Sequence, residues 1–342
     1  MPTPFTITRG TNASHWLSQS KRRGDERRAF FTEEDVRRIA GWGLDHIRLP
    51  VDEEQLFSEA GEPDEEAFGL LRDCLEWTQK HELNLVVDLH ILRSHYFNDA
   101  EEPRLYRDPA EAARFADLWR SISDRIGDAP TDRVAYELLN EPVARNPEKW
   151  NRVFQYPYQA IRHIEPQRPI ILGSNHFQSP RTFPHLDIPD DENLILSFHF
   201  YFPMFITHYQ ARWTPCGPYD GPIQYPGSPV PEEGLAKIDP EYRKRLDNWH
   251  DWNAPADRDM MQRIIDTPIA VSRTTGRRLY CGEFGCRNIV PLDIRRAWYR
   301  DILDVFETSG IAWANWDYRG GFGLVGEAGN DTGIIDLVSV RG

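Results

Sequence analysis

Cysteine is scarce: Cys74, Cys216, Cys281 and Cys286 are the four in 342 residues, and they form neither a C-x-x-C pair nor a dense framework. A structural zinc site and a disulfide scaffold are therefore not indicated, and Cys281 and Cys286 read as small buried hydrophobes. No G-x-G-x-x-G or Walker-type loop follows an apolar run, which removes the usual nucleotide-binding readings. No stretch approaches the ~18 consecutive apolar residues of a membrane span, so a soluble chain is expected. Residues 1–15 lack a charged segment followed by an apolar one, so no signal peptide is expected in this sequence. The compartment stays open between cytoplasmic and secreted with the leader elsewhere. Positive charge is also short, with Lys+Arg 40 against Asp+Glu 54 and a formal net charge of −14. Nucleic acid and anionic membranes reward clustered positive charge, so neither is expected as a partner; a neutral substrate suits the balance better.

Aromatic residues are plentiful: 11 Trp, 13 Tyr and 17 Phe. Such a supply implies a very large core or a surface built from flat rings, and the C–H faces of sugars pack on flat rings. Short apolar runs alternate with amphipathic stretches. The candidate strands are Phe5–Arg9, His46–Leu49, Leu85–His90, Val134–Asn140, Pro169–Gly173, Leu194–His199, Leu279–Phe284 and Ile311–Trp316. Continuous runs such as Leu85-Val86-Val87 fit parallel strands covered on both faces. Helix starts are legible between them, as a capping box at Thr32–Asp35 and as Asp108-Pro109 and Asn146-Pro147. Phe115, Leu118, Trp119, Ile122 and Ile126 keep one apolar face, as do Ile294, Trp298, Ile302, Val305 and Phe306. Eight strand–helix alternations predict a single α/β domain over residues 1–342, a (β/α)8 TIM barrel.

Residues 202–256 break that rhythm with Pro203, Pro215, Pro218, Pro222, Pro226, Pro229, Pro231, Pro240 and Pro255, among Trp213, Tyr219, Tyr225, Trp249 and Trp252. Ordinary βα loops run ~2–6 residues, so this aromatic- and proline-rich insertion after strand six is expected to form one wall of a cleft. Trp213, Trp249 and Trp252 divide between touching sugar and packing the insertion itself.

The polar residues at the strand ends converge on one pocket: Arg48, His90, Asn140, Glu141, His199, Tyr201, Glu283 and Trp316. Asn12, His15 and Trp16, just after strand one, are expected to face the same cleft. Glycoside hydrolysis needs two carboxyl groups flanking the scissile bond, one protonated and one ionised, separated by about 5–5.5 Å for retention or ~6.5–9.5 Å for inversion. Glu141 and Glu283 are that pair, with Arg48 and the Tyr201 hydroxyl expected to keep Glu283 ionised and its charge to hold the proton on Glu141. His90 and His95 suggest a metal pair only weakly, for no third ligand accompanies them; neither metal nor cofactor is expected.

These residues carry a resemblance. Asn140-Glu141-Pro142 after strand four and Gly282-Glu283-Phe284-Gly285 on strand seven resemble the acid/base and nucleophile motifs of glycoside hydrolase family 5, the cellulase family of the retaining (β/α)8 clan. Gly10-Thr11-Asn12 with Trp16, Arg48-Leu49-Pro50, Asp88-Leu89-His90, His199-Phe200-Tyr201 and Trp316 extend the likeness from about residue 8 to residue 320, most strongly to compact bacterial endoglucanases. It implies that Asn140 bonds the sugar 2-hydroxyl, that His90 and His199 line the cleavage subsite, and that Trp316 stacks under that sugar. The chain departs from the pattern after His90, where Ile91-Leu92 precede Arg93 and His95, and after Trp316, where Asp317-Tyr318-Arg319 bring charge near the cleft.

The expected function is a retaining, endo-acting β-1,4-glucanase, a monomer acting on a β-linked polysaccharide or oligosaccharide. Substrate-binding candidates are Asn12, His15, Trp16, Arg48, His90, His95, Asn140, His199, Tyr201, Trp213 and Trp316. The same glutamates also suit a β-mannanase, a mixed-linkage glucanase or an exo-acting glycosidase. A non-catalytic carbohydrate-binding barrel and a metal-dependent hydrolase are the alternatives from other classes.

Overall fold

In the computed structural model, eight parallel strands close into one barrel in sequence order. They are β1 Arg9–Asn12, β2 His46–Val51, β3 Asn84–Leu89, β4 Val134–Glu137, β5 Ile170–Gly173, β6 Leu194–Phe200, β7 Arg278–Phe284 and β8 Ala312–Asn315. The structure describes residues 4–249 and 251–339; the two ends of the expected 1–342 domain and position 250 of the insertion lie outside the described residues. Closure is direct, Arg9 of β1 pairing with Trp313 of β8. Among the described residues no helix is long and apolar enough to cross a membrane.

The expected first strand, Phe5–Arg9, is displaced: the ladder begins only at Arg9. Phe5 instead plugs the N-terminal end of the barrel, buried with Val86, Ala135, Ile171, Ile195, Tyr280 and Ala314. A plug and a strand share the same apolar alternation, so periodicity alone does not separate them. Gly10 is required next to it, because a Cβ there would meet the His46 ring at 2.5 Å. The last residues expected in strand four also leave regular pairing, since β4 ends at Glu137.

The helix signals form as read. The helix Glu33–Gly41 starts at Thr32, whose N–H donates to the Asp35 carboxylate at 2.9 Å. Asp108 and Asn146 accept from Ala110 and Glu148 at the starts of helices Pro109–Ile126 and Pro147–Ile164. These side-chain acceptors satisfy amides that a first helical turn leaves unpaired. The stripes at Phe115–Ile126 and Trp298–Phe306 are buried against the barrel.

Residues 202–256 fold into short helices, Met204–Thr207, Glu232–Leu235 and Pro240–Asp247, joined by turns. Their buried Phe205, Cys216, Val230 and Leu246 belong to the same apolar cluster as the barrel. The Tyr225 hydroxyl donates to Asp301 at 2.7 Å, tying the insertion to the helix Leu292–Ser309. Trp249 and Trp252 sit with ring centroids 6.2 and 4.9 Å from Phe205, so both pack the insertion.

Candidate functional site

At the C-terminal ends of the strands, one guanidinium organises the pocket. Arg48 on β2 is fully enclosed. Its Nε donates to Glu137 of β4 at 2.7 Å, its Nη2 lies 3.0 Å from Asp88 of β3, and its Nη1 donates to Glu283 of β7 at 2.8 Å. The side-chain oxygens of Asn12 and Asn140 accept its remaining donors, each at 2.9 Å. A charge this deep persists only when paired and fully hydrogen-bonded. Burial opposes ionisation, yet Asp88, Glu137 and Glu283 together hold the Arg48 pKa well above its ordinary value. Asn12 is pinned in turn, donating from Nδ2 to the Gly282 and Asn315 carbonyls.

Glu283 is also fixed from its other oxygen, which accepts from the Tyr201 hydroxyl at 2.8 Å. Pairing along β6–β7 shifts register at Phe198/His199, and along β7–β8 between Cys281 and Phe284. Such irregularities re-aim side chains at barrel rims, and here they bracket Glu283. Glu141 stands just beyond β4 with φ +44°, a left-handed conformation uncommon for a residue with a side chain. His199 lies between the two acids, its Nδ1 3.0 Å from Glu141 Oε1 and 3.6 Å from Glu283 Oε2.

Burial, then the charge of Glu283, pushes the Glu141 pKa well above the ordinary carboxyl range. Burial also raises Glu283, against the opposing pull of Arg48 and the Tyr201 hydrogen bond. The sequence leads one to expect those partners simply to keep Glu283 ionised. Burial works against them, so both carboxyls are raised from the ordinary value, while Arg48 and Tyr201 still favour the ionised form of Glu283. Burial keeps the imidazoles neutral, His90 being lowered to about 3 and His199 well below its usual value.

Among the described residues, the buried polar atoms on this floor that lack a partner include His90 Nε2, Asn140 Nδ2 and His199 Nε2. Buried donors and acceptors are nearly always satisfied, so orphans grouped in one cleft are suited to a polar ligand. His90 is oriented by Asp88, 2.7 Å from its Nδ1, and lies parallel to the Trp316 indole with centroids 5.5 Å apart. His15 meets the same indole edge-on at 6.1 Å and stands 3.5 Å from Asp317. Trp213 is 57% exposed and is linked to the site through His208, whose ring touches both Trp213 and Tyr201.

One expected cleft residue lies elsewhere. Trp16 is wholly buried between Phe31 and Trp77, its indole N–H donating to the Arg27 carbonyl, and offers no face to a sugar. His95 is buried against Tyr106, with both ring nitrogens unpartnered and its pKa lowered to about 3 by burial. Glu137, Gln178 and Ser197 are buried polar residues not singled out from the sequence for this site. Glu137 was the most accessible of them: an acid inside a strand of a filled barrel demands a cation, and Arg48 was the available one.

One ligand atom each from Glu141, His199 and Glu283 falls within a 4.8 Å cluster, the one grouping among the described residues spaced for a metal ion. A retaining glycosidase likewise keeps its two carboxyl groups close, about 5–5.5 Å apart.

Comparison with known proteins agrees with this geometry. The family model described as Cellulase (glycosyl hydrolase family 5) matches residues 8–321. Endoglucanase C of Acetivibrio thermocellus is 33% identical over 317 residues, 91% of this chain and 90% of the relative. Cellodextrinase A of Ruminococcus flavefaciens is 30% identical over 308 residues, 90% of this chain and 84% of the relative. Among solved structures, an endoglucanase from the hyperthermophile Thermotoga maritima superposes with a TM-score of 0.75 at 25% identity, covering 97% of both chains. With family motifs at the mouth of a closed (β/α)8 barrel and a family match across nearly its whole length, the chain belongs to glycosyl hydrolase family 5, the cellulase family, and is a glycoside hydrolase.

Proposed function

We propose that the protein is an endo-β-1,4-glucanase that cleaves β-glucan chains by double displacement. The observation that carries this reading is the placing of Glu141 and Glu283 on either side of His199, with one carboxylate oxygen of each within 4.8 Å. Glu283 attacks the anomeric carbon as nucleophile, its oxygens aligned by Arg48 and Tyr201. Glu141, kept protonated by burial and by the charge of Glu283, gives its proton to the departing glycosidic oxygen. Once the glycosyl-enzyme has formed, Glu141 is ionised and takes a proton from the water that releases the sugar.

The relatives named endoglucanase and cellodextrinase support β-linked glucose as the substrate. Asn140 Nδ2, His90 Nε2 and His199 Nε2 are free to meet sugar hydroxyls. Trp316 and His15 present rings beside them, and Trp213 extends a wall formed by residues 202–256. Product sizing on cellulose, glucomannan, lichenan and laminarin tests the assignment. Internal cleavage of cellulose with a first-formed β anomer is expected; a preference for glucomannan, or an α product, would overturn the substrate or the mechanism respectively. The Glu141–His199–Glu283 cluster also favours a metal-dependent reading by its spacing alone. Undiminished hydrolysis in excess chelator removes that reading.

A further inference from the structure

The end of β5 carries no chemistry-bearing motif, yet its backbone is unusual. His176, Phe177 and Gln178 have φ of 56, 61 and 50°, three successive left-handed residues. Each is a strained conformation for a residue with a Cβ, and such strain persists only where surrounding contacts over-determine it.

Several of those contacts reach the segment that holds Glu141. Asn175 exchanges two hydrogen bonds with the Ala144 backbone, accepting its N–H at 2.9 Å and donating to its carbonyl at 2.8 Å. The Phe177 N–H donates to the Pro142 carbonyl at 3.2 Å. The turn then sends the Gln178 side chain back over the strand end, where it is wholly buried. A Cβ on Gly173 would lie 2.3–2.5 Å from that side chain, so β5 has to end in glycine for it to enter.

The buried amide is used from both ends. Its oxygen accepts the Glu141 N–H at 3.0 Å, while its nitrogen donates to Glu137 Oε1 and Ser197 Oγ, each at 3.0 Å. The opposite amide orientation would set an NH2 against an N–H and an oxygen against a carboxylate, so the chemistry of the partners selects this one. Glu137 grips Arg48, and Arg48 grips Glu283. One unbroken chain of hydrogen bonds therefore runs beneath the site, from the backbone of Glu141 to the carboxylate of Glu283.

We propose that Gln178 is the positioning residue of the acid/base: it holds the Glu141 N–H, and with it the left-handed backbone from which that carboxyl reaches His199 and the scissile bond. The inference rests on Glu141 being the acid/base. It concerns a residue that touches no reacting atom: its direct hold is on the Glu141 backbone, and it meets Glu283 only at second remove, through Glu137 and Arg48.

The test compares wild type, Gln178→Leu, Gln178→Asn and Glu141→Ala on two substrates. Cellotetraose needs a proton on its leaving oxygen; 2,4-dinitrophenyl cellobioside does not, and its first step is read from the burst of dinitrophenolate. Asparagine, one methylene shorter, cannot span both partners and carries the same test should the leucine variant not fold. A sub-ångström to ångström misplacement of a reacting group costs up to about 10²-fold. We expect kcat on cellotetraose to fall roughly 10- to 10²-fold in either Gln178 variant, with KM nearly constant and the burst rate changed less than threefold. Equal losses on both substrates, or an unchanged kcat on cellotetraose, would overturn the role of Gln178. If Glu141→Ala itself loses both substrates equally, the acid/base reading fails instead; if it shows the split and the Gln178 variants do not, only Gln178 is misassigned.

Discussion

Arg48 Nη1 donates to Glu283 Oε1 at 2.8 Å from inside the barrel, and the same guanidinium bonds Glu137 and faces Asp88. One buried cation thus faces three acids at the floor of the cleft. Desolvation makes such an arrangement costly to assemble and far costlier to break, since removing one partner strands the others.

Arg48→Met should therefore lose stability as well as activity. A loss of about 3–5 kcal/mol is expected on removing one partner of a buried pair, read as a fall in the denaturant midpoint. Arg48→Lys retains the charge and loses the fork, so it should fold better than the methionine variant while hydrolysis still falls sharply. An unaltered midpoint in Arg48→Met would contradict the network.

The two glutamates should separate by leaving group. Glu283→Ala is expected to abolish turnover of natural and activated substrates alike. Glu141→Ala should cost roughly 10²–10⁴-fold on cellotetraose, the usual contribution of a general acid, and much less on the burst with an activated aryl glycoside. Steady-state rates with and without azide, which replaces water without needing a base, check the second step.

The pH profile follows from the raised acids. On the proposed mechanism the acidic limb should report ionisation of Glu283 and the basic limb loss of the Glu141 proton, both displaced upward from the ordinary carboxyl value. His90, lowered to about 3, contributes no limb near neutrality. In Glu141→Gln the basic limb should vanish from kcat/KM measured across pH.

Stability has its own pH dependence through Asp88, raised from 3.8 to about 7 by burial against the pull of Arg48. A folded pKa above the unfolded one means that the native state binds the extra proton. The stabilisation is complete below 3.8 and is lost as pH rises to about 7. Asp88→Asn should flatten the fall in Tm across that interval, and a slope unchanged from wild type would refute the assignment.

Two tryptophans should behave oppositely. Trp16→Ala empties a wholly buried site and should cost about 3–5 kcal/mol of stability. Trp213→Ala removes a ring that is 57% exposed, and should leave Tm nearly unchanged. If that ring supports sugar, KM on long cello-oligosaccharides should rise up to about tenfold, the worth of one good ring contact.

What the sequence by itself determined is the periodic framework and the residue types at the strand ends. Eight apolar runs separated by capped amphipathic helices specify a barrel, because burial on both faces of parallel strands imposes that pattern. Glu141 and Glu283 were legible because strand ends on one face of a barrel must converge. Tertiary structure decided what local pattern does not encode. Phe5 became a plug and Trp16 a core residue, since an apolar residue near a strand end suits either solvent-facing cleft or interior equally well. Glu137 and Asp88 acquired meaning only when closure brought β3 and β4 against Arg48 on β2. Gln178 was invisible, because its role depends on a left-handed turn and on a partner 37 residues away, set by long-range packing rather than by its neighbours in the chain.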